Sequence, residues 1–250
     1  MFDQTSKVKI RVDDENPYWI SFSDIMAGLL VIFILATLLL FMQLTQQQER
    51  LKQVEEEIHE TVSDIEKANR VRSELLGDVK EALEEQGIEV EISDNDSVLT
   101  IPSRTLSFES DHADIPPHQE AIVEKIGITL LNEITKSGRD KYIDTIFVEG
   151  HTDSRPSGYK KVGNWLLSAD RAISVWRYWG DQKTTMKLWE LKNFRNQLMF
   201  SVSGYAETRR VEKEEKTDEL HKKNRRIDLR FTMKQPKECE YAEITGAAPC

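Results

Sequence analysis

The sequence YWISFSDIMAGLLVIFILATLLLFMQL, residues 18–44, separates a short polar N-terminus from a long and highly charged remainder. An apolar stretch of about 20 residues is enough for a helix to cross a lipid bilayer. Asp24 is the only charged residue in the stretch. Tyr18 and Trp19 open it, and aromatic side chains suit the level of the lipid headgroups. The stretch therefore predicts a single transmembrane helix over residues 18–44.

Asp24 stands where a carboxylate is costly. A charged side chain near the centre of a spanning helix costs about 2.5–3.5 kcal/mol on insertion scales, and less toward the ends. Ser21 and Gly28 lie one turn away on the same helical face, and such small side chains let another helix approach closely. This arrangement predicts that Asp24 is an ion-carrying carboxylate. The alternative is that Asp24 only marks the membrane boundary, because Ile25–Met42 could nearly span alone.

Length and charge limit the number of domains and the partners. The chain has 250 residues and a formal net charge of −10. Beyond the apolar stretch there is room for one domain of ordinary size. The acidic balance argues against nucleic acid as a partner. The apolar run is too long for a cleaved signal peptide and has no basic region directly before it. We therefore expect a retained anchor, preceded by a polar tail over residues 1–17.

Two cysteines, Cys239 and Cys250, lie in a C-terminal tail that we assign to residues 236–250. In an oxidising compartment they would be candidates for a disulfide that closes a small loop. The alternative is two unpaired thiols in an end without order, and the sequence does not choose between them.

Residues 45–86 predict a charged helix that links the apolar stretch to the domain. The segment contains no proline, and apolar residues recur in it at a seven-residue spacing. The seam is formed by Leu51, Ile58, Ile65 and Val79, with companion positions at Val62, Leu76 and Leu83. Such a seam favours the pairing of two helices and therefore a dimer, although polar residues interrupt it. The alternative is a single solvated helix that acts as a spacer.

From Gly87 the periodicity changes and predicts an α/β domain over residues 87–235. Two short alternating segments flank Asp94-Asn95-Asp96, which predicts a β-hairpin. Helical and strand patterns then alternate, which favours helices packed on one sheet. The later predicted helices begin at Pro116-Pro117 and cover 166–179 and 212–223, and the later predicted strands cover 143–149, 198–204 and 227–231. Residues 181–195 are expected to be an insertion that packs locally.

Four short motifs follow one another in this domain. They are VEGHTD at 148–153, NWLLS at 164–168 followed by Arg171-Ala172, SGYAE at 203–207 and NRRIDLR at 224–230. In this order, and with Phe108 in an early loop, they resemble the OmpA-like peptidoglycan-binding domain. The resemblance implies a βαβαβ sandwich, which agrees with the alternation of strand and helix patterns.

The resemblance also implies a site for the diaminopimelate of peptidoglycan stem peptides. Asp153 matches the aspartate that takes the ligand's ammonium group, and Arg171 matches the arginine that holds its carboxylate. Asn164, Leu167 and Arg225 match positions that shape the pocket. The residue types suit this role, because a guanidinium binds a carboxylate through two parallel hydrogen bonds and a carboxylate pairs with an ammonium. The loop between Asp153 and Asn164 is longer than the family leads us to expect.

The sequence offers little for catalysis or for metal binding. His151 and Asp153 are two residues apart, but without further histidine or cysteine ligands nearby they are too few for a metal site. No Ser-His-Asp set and no pair of carboxylates spaced for hydrolysis is evident, so we expect that the chain is not an enzyme. We expect no cofactor, only a translocated ion.

The membrane segment carries a second resemblance. Tyr18-Trp19 followed by Phe22–Met26 is similar to the B subunits of flagellar-type stator units, in which this aspartate carries the ion. Within that superfamily, Trp19–Asp24 and the long charged helix resemble most the B subunits of the Zorya anti-phage defence system. The resemblance implies a multi-span A-type channel subunit as partner and a second copy of this chain. We expect the translocated ion to be a proton; the alternative is sodium, because a lone carboxylate serves either ion.

Two alternatives stay open: a flagellar stator B subunit, and a purely structural wall tether that needs no intramembrane carboxylate. In each case peptidoglycan lies in the periplasm. We therefore expect a single-pass protein of the bacterial inner membrane, with residues 1–17 in the cytoplasm and residues 87–235 in the periplasm.

Overall fold

A computed structural model of the chain describes residues 17–93, 95–180 and 188–235. Residues 1–16 and 236–250, including Cys239 and Cys250, and the first part of the predicted insertion, residues 181–187, lie outside the described residues. The helices and strands follow in the order α1 (Pro17–Glu84), β1 (Glu91–Ser93), β2 (Val98–Pro102), α2 (Glu120–Thr135), β3 (Ile143–His151), α3 (Asn164–Gly180), β4 (Phe200–Gly204), α4 (Asp218–Asn224) and β5 (Arg226–Met233). Short 3₁₀ helices lie between them at Pro117–Gln119, Lys136–Tyr142, Tyr159–Lys161 and Leu188–Glu190.

Helix α1 is one uninterrupted helix of 68 residues that contains the whole predicted membrane segment. From Ser21 to Gln53 the side chains are exposed. Among the described helices, this one alone is long and apolar enough to cross a membrane by length and composition. The chain divides into two compact units, one ending at His59 and the other beginning at Glu60.

The C-terminal third of α1 belongs to the core of the second unit. Leu75, Leu76, Val79 and Leu83 are fully buried there, together with strand residues such as Leu99. Three positions of the predicted pairing seam, Leu76, Val79 and Leu83, are therefore core residues of the chain itself. The reason is that a heptad seam and the buried stripe of an amphipathic helix have nearly the same spacing. Only the earlier seam positions, Leu51, Ile58 and Val62, are exposed.

The five strands form one sheet in the order β1-β2-β5-β3-β4. Only the pair β3–β4 is parallel, and α3 connects its two strands as a βαβ crossover. The predicted hairpin is present as the antiparallel pair β1–β2, and Asn95 and Asp96 in its turn adopt left-handed φ angles of 51° and 56°. The α/β fold predicted from the sequence is thus confirmed.

Alternation along the strands gives the sheet two different faces. Leu99, Ile101, Ile146 and Val148 are fully buried against the helices. On α2, Val123, Ile126, Leu130 and Ile134 form the matching buried stripe. The intervening strand positions, among them Thr100, Glu149 and Asp228, carry polar side chains on the opposite face. This alternation follows from the two-residue period of a strand.

Two glycines bring α3 very close to the sheet. A Cβ atom on Gly150 would lie 1.9 Å from the carbonyl oxygen of Ser168, and one on Gly204 would lie 2.4 Å from the backbone nitrogen of Ala169. Any side chain would push the helix away, so only glycine fits at both positions. The close approach sets where the first turn of α3 lies relative to the end of β3.

The predicted helix over residues 212–223 is wrong in its first half. Helix α4 begins only at Asp218, after Thr217, whose hydroxyl accepts from the backbone nitrogen of Leu220. Upstream of it, the side chain of Asn224 binds the backbone of Val211 and of Glu212. This buried amide holds the segment as a loop, and such a long-range contact overrides the local helical preference.

Candidate functional site

The C-terminal end of β3 and the N-terminal ends of α3 and β5 meet at one end of the sheet. His151, the last residue of β3, is paired with Arg226, the first of β5. Asp153 and Arg225 therefore lie just beyond the paired ends. A cavity of about 410 Å³ opens there, and all five predicted site residues line it: Asp153, Asn164, Leu167, Arg171 and Arg225. The remaining lining residues are Phe108, Ser110, Asp111, Thr152, Arg155, Pro156 and Ser157.

The Asp153 carboxylate is buried and already holds two guanidinium groups. Its Oδ2 accepts from Nη1 of Arg225 at 2.5 Å and from Nη2 of Arg155 at 2.6 Å. Its Oδ1 accepts from the backbone nitrogen of Arg155 at 3.1 Å. Burial alone would raise the pKa of Asp153, but the hydrogen bonds from Arg155 and Arg225 outweigh it and hold the pKa below its usual value. Asp153 is therefore an anion at neutral pH.

Arg171, in contrast to Asp153, is a buried charge whose side-chain hydrogen bonds go to backbone carbonyls. Its side chain is buried, and its Nε and Nη2 donate to the backbone carbonyls of His112 and Glu109, both at 3.0 Å. Its guanidinium lies over the ring of Phe108, with 5.1 Å to the centroid. Burial, followed by repulsion from Arg225, lowers the pKa of Arg171 to about 10. In the described parts of the chain, no carboxylate lies within ion-pairing distance of this cation.

The other three predicted residues, Asn164, Leu167 and Arg225, also line the cavity. The Nδ2 of Asn164 donates to the backbone carbonyl of Arg155 at 3.0 Å, which ties the start of α3 to the loop after β3. Leu167 is buried one turn further along α3 and supplies an apolar wall. Arg225 is an ion-pair partner of Asp153 as well as a lining residue.

Sequence reasoning missed the role of Arg155. It occupies the longer loop between Asp153 and Asn164, and only its place two residues after an aspartate hinted at it. Asp111 was missed too; its carboxylate accepts from the hydroxyl of Ser157, so a loop before α2 is joined to the loop after β3. Nothing in the local sequence indicates that contact, because the two residues are far apart along the chain.

Behind the cavity, His151 lies in a buried polar network on the sheet. Ligand-type atoms of Glu149, His151 and Asp228 lie within 4.8 Å of one another. However, Glu149 accepts from Nε of Arg230 at 3.0 Å and Asp228 accepts from Nε of Arg226 at 2.9 Å. Burial raises the pKa of Asp228, but contacts with His151 and Arg226 outweigh it and lower the pKa. Arginines thus already neutralise both carboxylates.

Asp24 lies in the first unit of the chain, on the exposed surface of α1. Ser21 and Gly28 lie one turn before and one turn after it, and no atom lies within 4 Å of the position that a Cβ on Gly28 would occupy. The helical face predicted for a partner helix is therefore open. The proposed disulfide of Cys239 and Cys250 falls outside the described residues.

Comparisons with known proteins agree with this fold. Residues 107–225 match the OmpA family. A putative MotB-like protein from Desulfovibrio vulgaris has a similar structure, with a TM-score of 0.50 and 18% identity over 68% of this chain and 98% of that one. The cell wall anchor of the T6SS from Pseudomonas aeruginosa has a TM-score of 0.46 and 22% identity over 65% and 99% of the two chains.

A third structure, the periplasmic domain of Helicobacter pylori MotB, has a TM-score of 0.42 and 22% identity over 62% of this chain and 88% of that one. No curated protein sequence matches the chain. At these identities the likeness concerns the fold, and the function has to be argued from the residues.

Proposed function

We propose that this chain anchors a membrane complex to peptidoglycan, with its OmpA-like domain holding a diaminopimelate group in the 410 Å³ cavity. Arg171 receives the ligand's carboxylate, and Asp153 receives its ammonium. Asn164, Leu167 and Arg225 shape the pocket around both.

The observation that carries the proposal is that the guanidinium of Arg171 is buried and donates to two backbone carbonyls. A buried cation without a carboxylate partner is costly, and an incoming anion would recover that cost. The Phe108 ring beneath the guanidinium and the two backbone carbonyls hold it in place. The remaining nitrogen, Nη1, is left for a ligand, and a carboxylate is the natural acceptor for an arginine in such a site.

Sacculus binding tests this proposal. Arg171→Met keeps an apolar side chain of similar length, and Asp153→Asn keeps the shape of the carboxylate. Removing one partner of a desolvated ion pair costs about 2–5 kcal/mol, so we expect both variants of the full chain to lose sedimentation with purified sacculi. Arg177→Met, on the exposed side of the same helix, is the matched control and should sediment like the unaltered chain.

Thermal unfolding of each variant separates loss of binding from loss of fold. If both folded variants sediment with sacculi as well as the control does, this cavity is not the binding site.

For the membrane part, we propose that α1 crosses the inner membrane once and that Asp24 carries a proton. The partner would be a multi-span A-type channel subunit of the ZorA or MotA kind, together with a second copy of this chain. The support is the apolar stretch with its single carboxylate, flanked on one face by Ser21 and Gly28. With the C-terminal domain in the periplasm, the chain would be the wall-anchored B subunit of a proton-driven, stator-like complex.

The more specific proposal is the role of ZorB in Zorya anti-phage defence, carried by the likeness of Trp19–Asp24 and of the long charged helix. The alternative is a MotB-like subunit of a flagellar stator. The neighbouring reading frames distinguish them, because helicase or nuclease genes beside an A-type subunit favour defence. The third hypothesis is a purely structural tether, and it predicts that the protein functions without the Asp24 carboxylate.

A further inference from the structure

The Asp153 carboxylate, which the proposed function pairs with a ligand ammonium, already forms an ion pair with Arg155 of the chain itself. Arg155 reaches Oδ2 of Asp153 through Nη2 at 2.6 Å and through Nε at 3.1 Å. The proposed function assigns this same carboxylate to the ammonium group of the ligand. Arg225 also donates to Oδ2 but is less exposed, at 25% against 51% for Arg155.

Arg155 has a second acceptor that keeps it near the site when it leaves Asp153. Its Nη1 donates to Oδ1 of Asp218, in the first turn of α4, at 3.2 Å. The Asp218 side chain is 57% exposed, so a guanidinium held by it alone would lie in solvent. The backbone of Arg155 stays in place through the amide of Asn164, which binds its carbonyl oxygen. The side chain can therefore turn outward without moving the loop.

The two ends of the cavity are thus unequal. The carboxylate end is open, because Arg171 lacks an acidic partner among the described residues. The ammonium end is closed by an ion pair in which the Asp153 carboxylate is buried but the Arg155 side chain is 51% exposed, so the guanidinium can leave into solvent.

We propose that Arg155 is a displaceable internal cation that competes with the ligand's ammonium for Asp153. This inference rests on the proposed function of the same cavity. In the empty site Arg155 neutralises the buried carboxylate. In the occupied site the ammonium takes its place, and Asp218 holds the released guanidinium. A ligand with a carboxylate alone would bind Arg171 but would not displace Arg155, so the site selects ligands that carry both charges.

The test uses Arg155→Gln, which removes the competing charge and keeps a polar side chain. Arg104→Gln is the matched control, since Arg104 is similarly exposed and is paired with Glu89 and Glu91 away from the cavity. Two soluble muropeptides serve as probes: one with the free side-chain amine of its diaminopimelate, and the same peptide with that amine acetylated. Binding to the full chain in detergent is measured by calorimetry.

We expect Arg155→Gln to bind the free-amine peptide about two- to five-fold more tightly than the unaltered chain, because the ligand's ammonium no longer competes with a half-exposed guanidinium for Asp153. The acetylated peptide should show no gain, and Arg104→Gln should change neither. Equal or weaker binding of the free-amine peptide by Arg155→Gln, or an equal gain with both peptides, would overturn the inference. If the unaltered chain binds neither peptide, the proposed function fails as well; if it binds in an Arg171-dependent way without the gain, only this inference fails.

Discussion

Asp153 and Arg171 show, at the scale of single residues, how one cavity can hold two charges in opposite states. The carboxylate of Asp153 accepts from two arginines, whereas the guanidinium of Arg171 has only backbone carbonyls. The hydrogen bonds lower the pKa of Asp153, and burial lowers the pKa of Arg171. Both groups therefore stay charged at neutral pH, which is what recognition of a zwitterionic end requires.

Asp24 is the second residue on which the proposed function depends. Asp24→Asn keeps the shape and a hydrogen-bonding group but cannot ionise, so it cannot take up and release a proton. We expect the complex to assemble and to bind sacculi, but to lose phage protection in the defence reading or motility in the flagellar one. Asp64→Asn, an exposed carboxylate further along the same helix, should keep full activity.

Full activity of the Asp24→Asn complex in cells would leave only the tether reading. Failure of that complex to assemble would instead identify Asp24 as a contact between helices.

At the scale of elements, α1 combines an exposed apolar segment with a C-terminal end that is buried in the hydrophobic core of the second unit. Leu51 and Leu76 are both positions of the predicted seam on this one helix, yet the first is 69% exposed and the second fully buried. Leu76→Ala should therefore destabilise the second unit by about 2–5 kcal/mol, through lost burial and the cavity left behind. Leu51→Ala should stay within about 0.5 kcal/mol of the unaltered chain.

Thermal unfolding of the two full-length variants in detergent measures this difference. Equal melting temperatures for Leu51→Ala and Leu76→Ala would contradict the placement of the end of α1 in the core.

At the scale of the whole molecule, the proposed pairing of two chains would rest on the part of the seam that the core does not use. We expect Ile58→Cys to form a disulfide between two copies when the A-type partner is present, because its exposed apolar side chain lies on the predicted seam. Glu56→Cys, two residues earlier, points to another face of the helix and should not crosslink.

Cys239 and Cys250 are replaced by serine in both variants to remove the background. Absence of a crosslinked dimer at Ile58, or equal crosslinking at Glu56, would argue for a spacer helix instead of a paired one. In the unaltered chain, the same two cysteines remain candidates for a disulfide, which intact mass before and after reduction would reveal.

The sequence by itself determined the apolar helix with its single carboxylate and the α/β domain, and through the family resemblance it indicated five of the residues that line the cavity. These signals are local: an uninterrupted apolar run, alternation along strands, and short motifs that resemble those of a known family. Only the tertiary structure decided that Leu76, Val79 and Leu83 belong to the core. It alone shows that the side chain of Asn224 holds the segment before α4 as a loop. It also shows that Arg155 forms an ion pair with Asp153. The physical reason is that one periodicity suits both a helix pair and a core stripe, and that the neighbours of a charge are chosen by contacts between distant parts of the chain. Asp153 and Arg225 meet across 72 residues, a separation at which sequence spacing no longer specifies geometry.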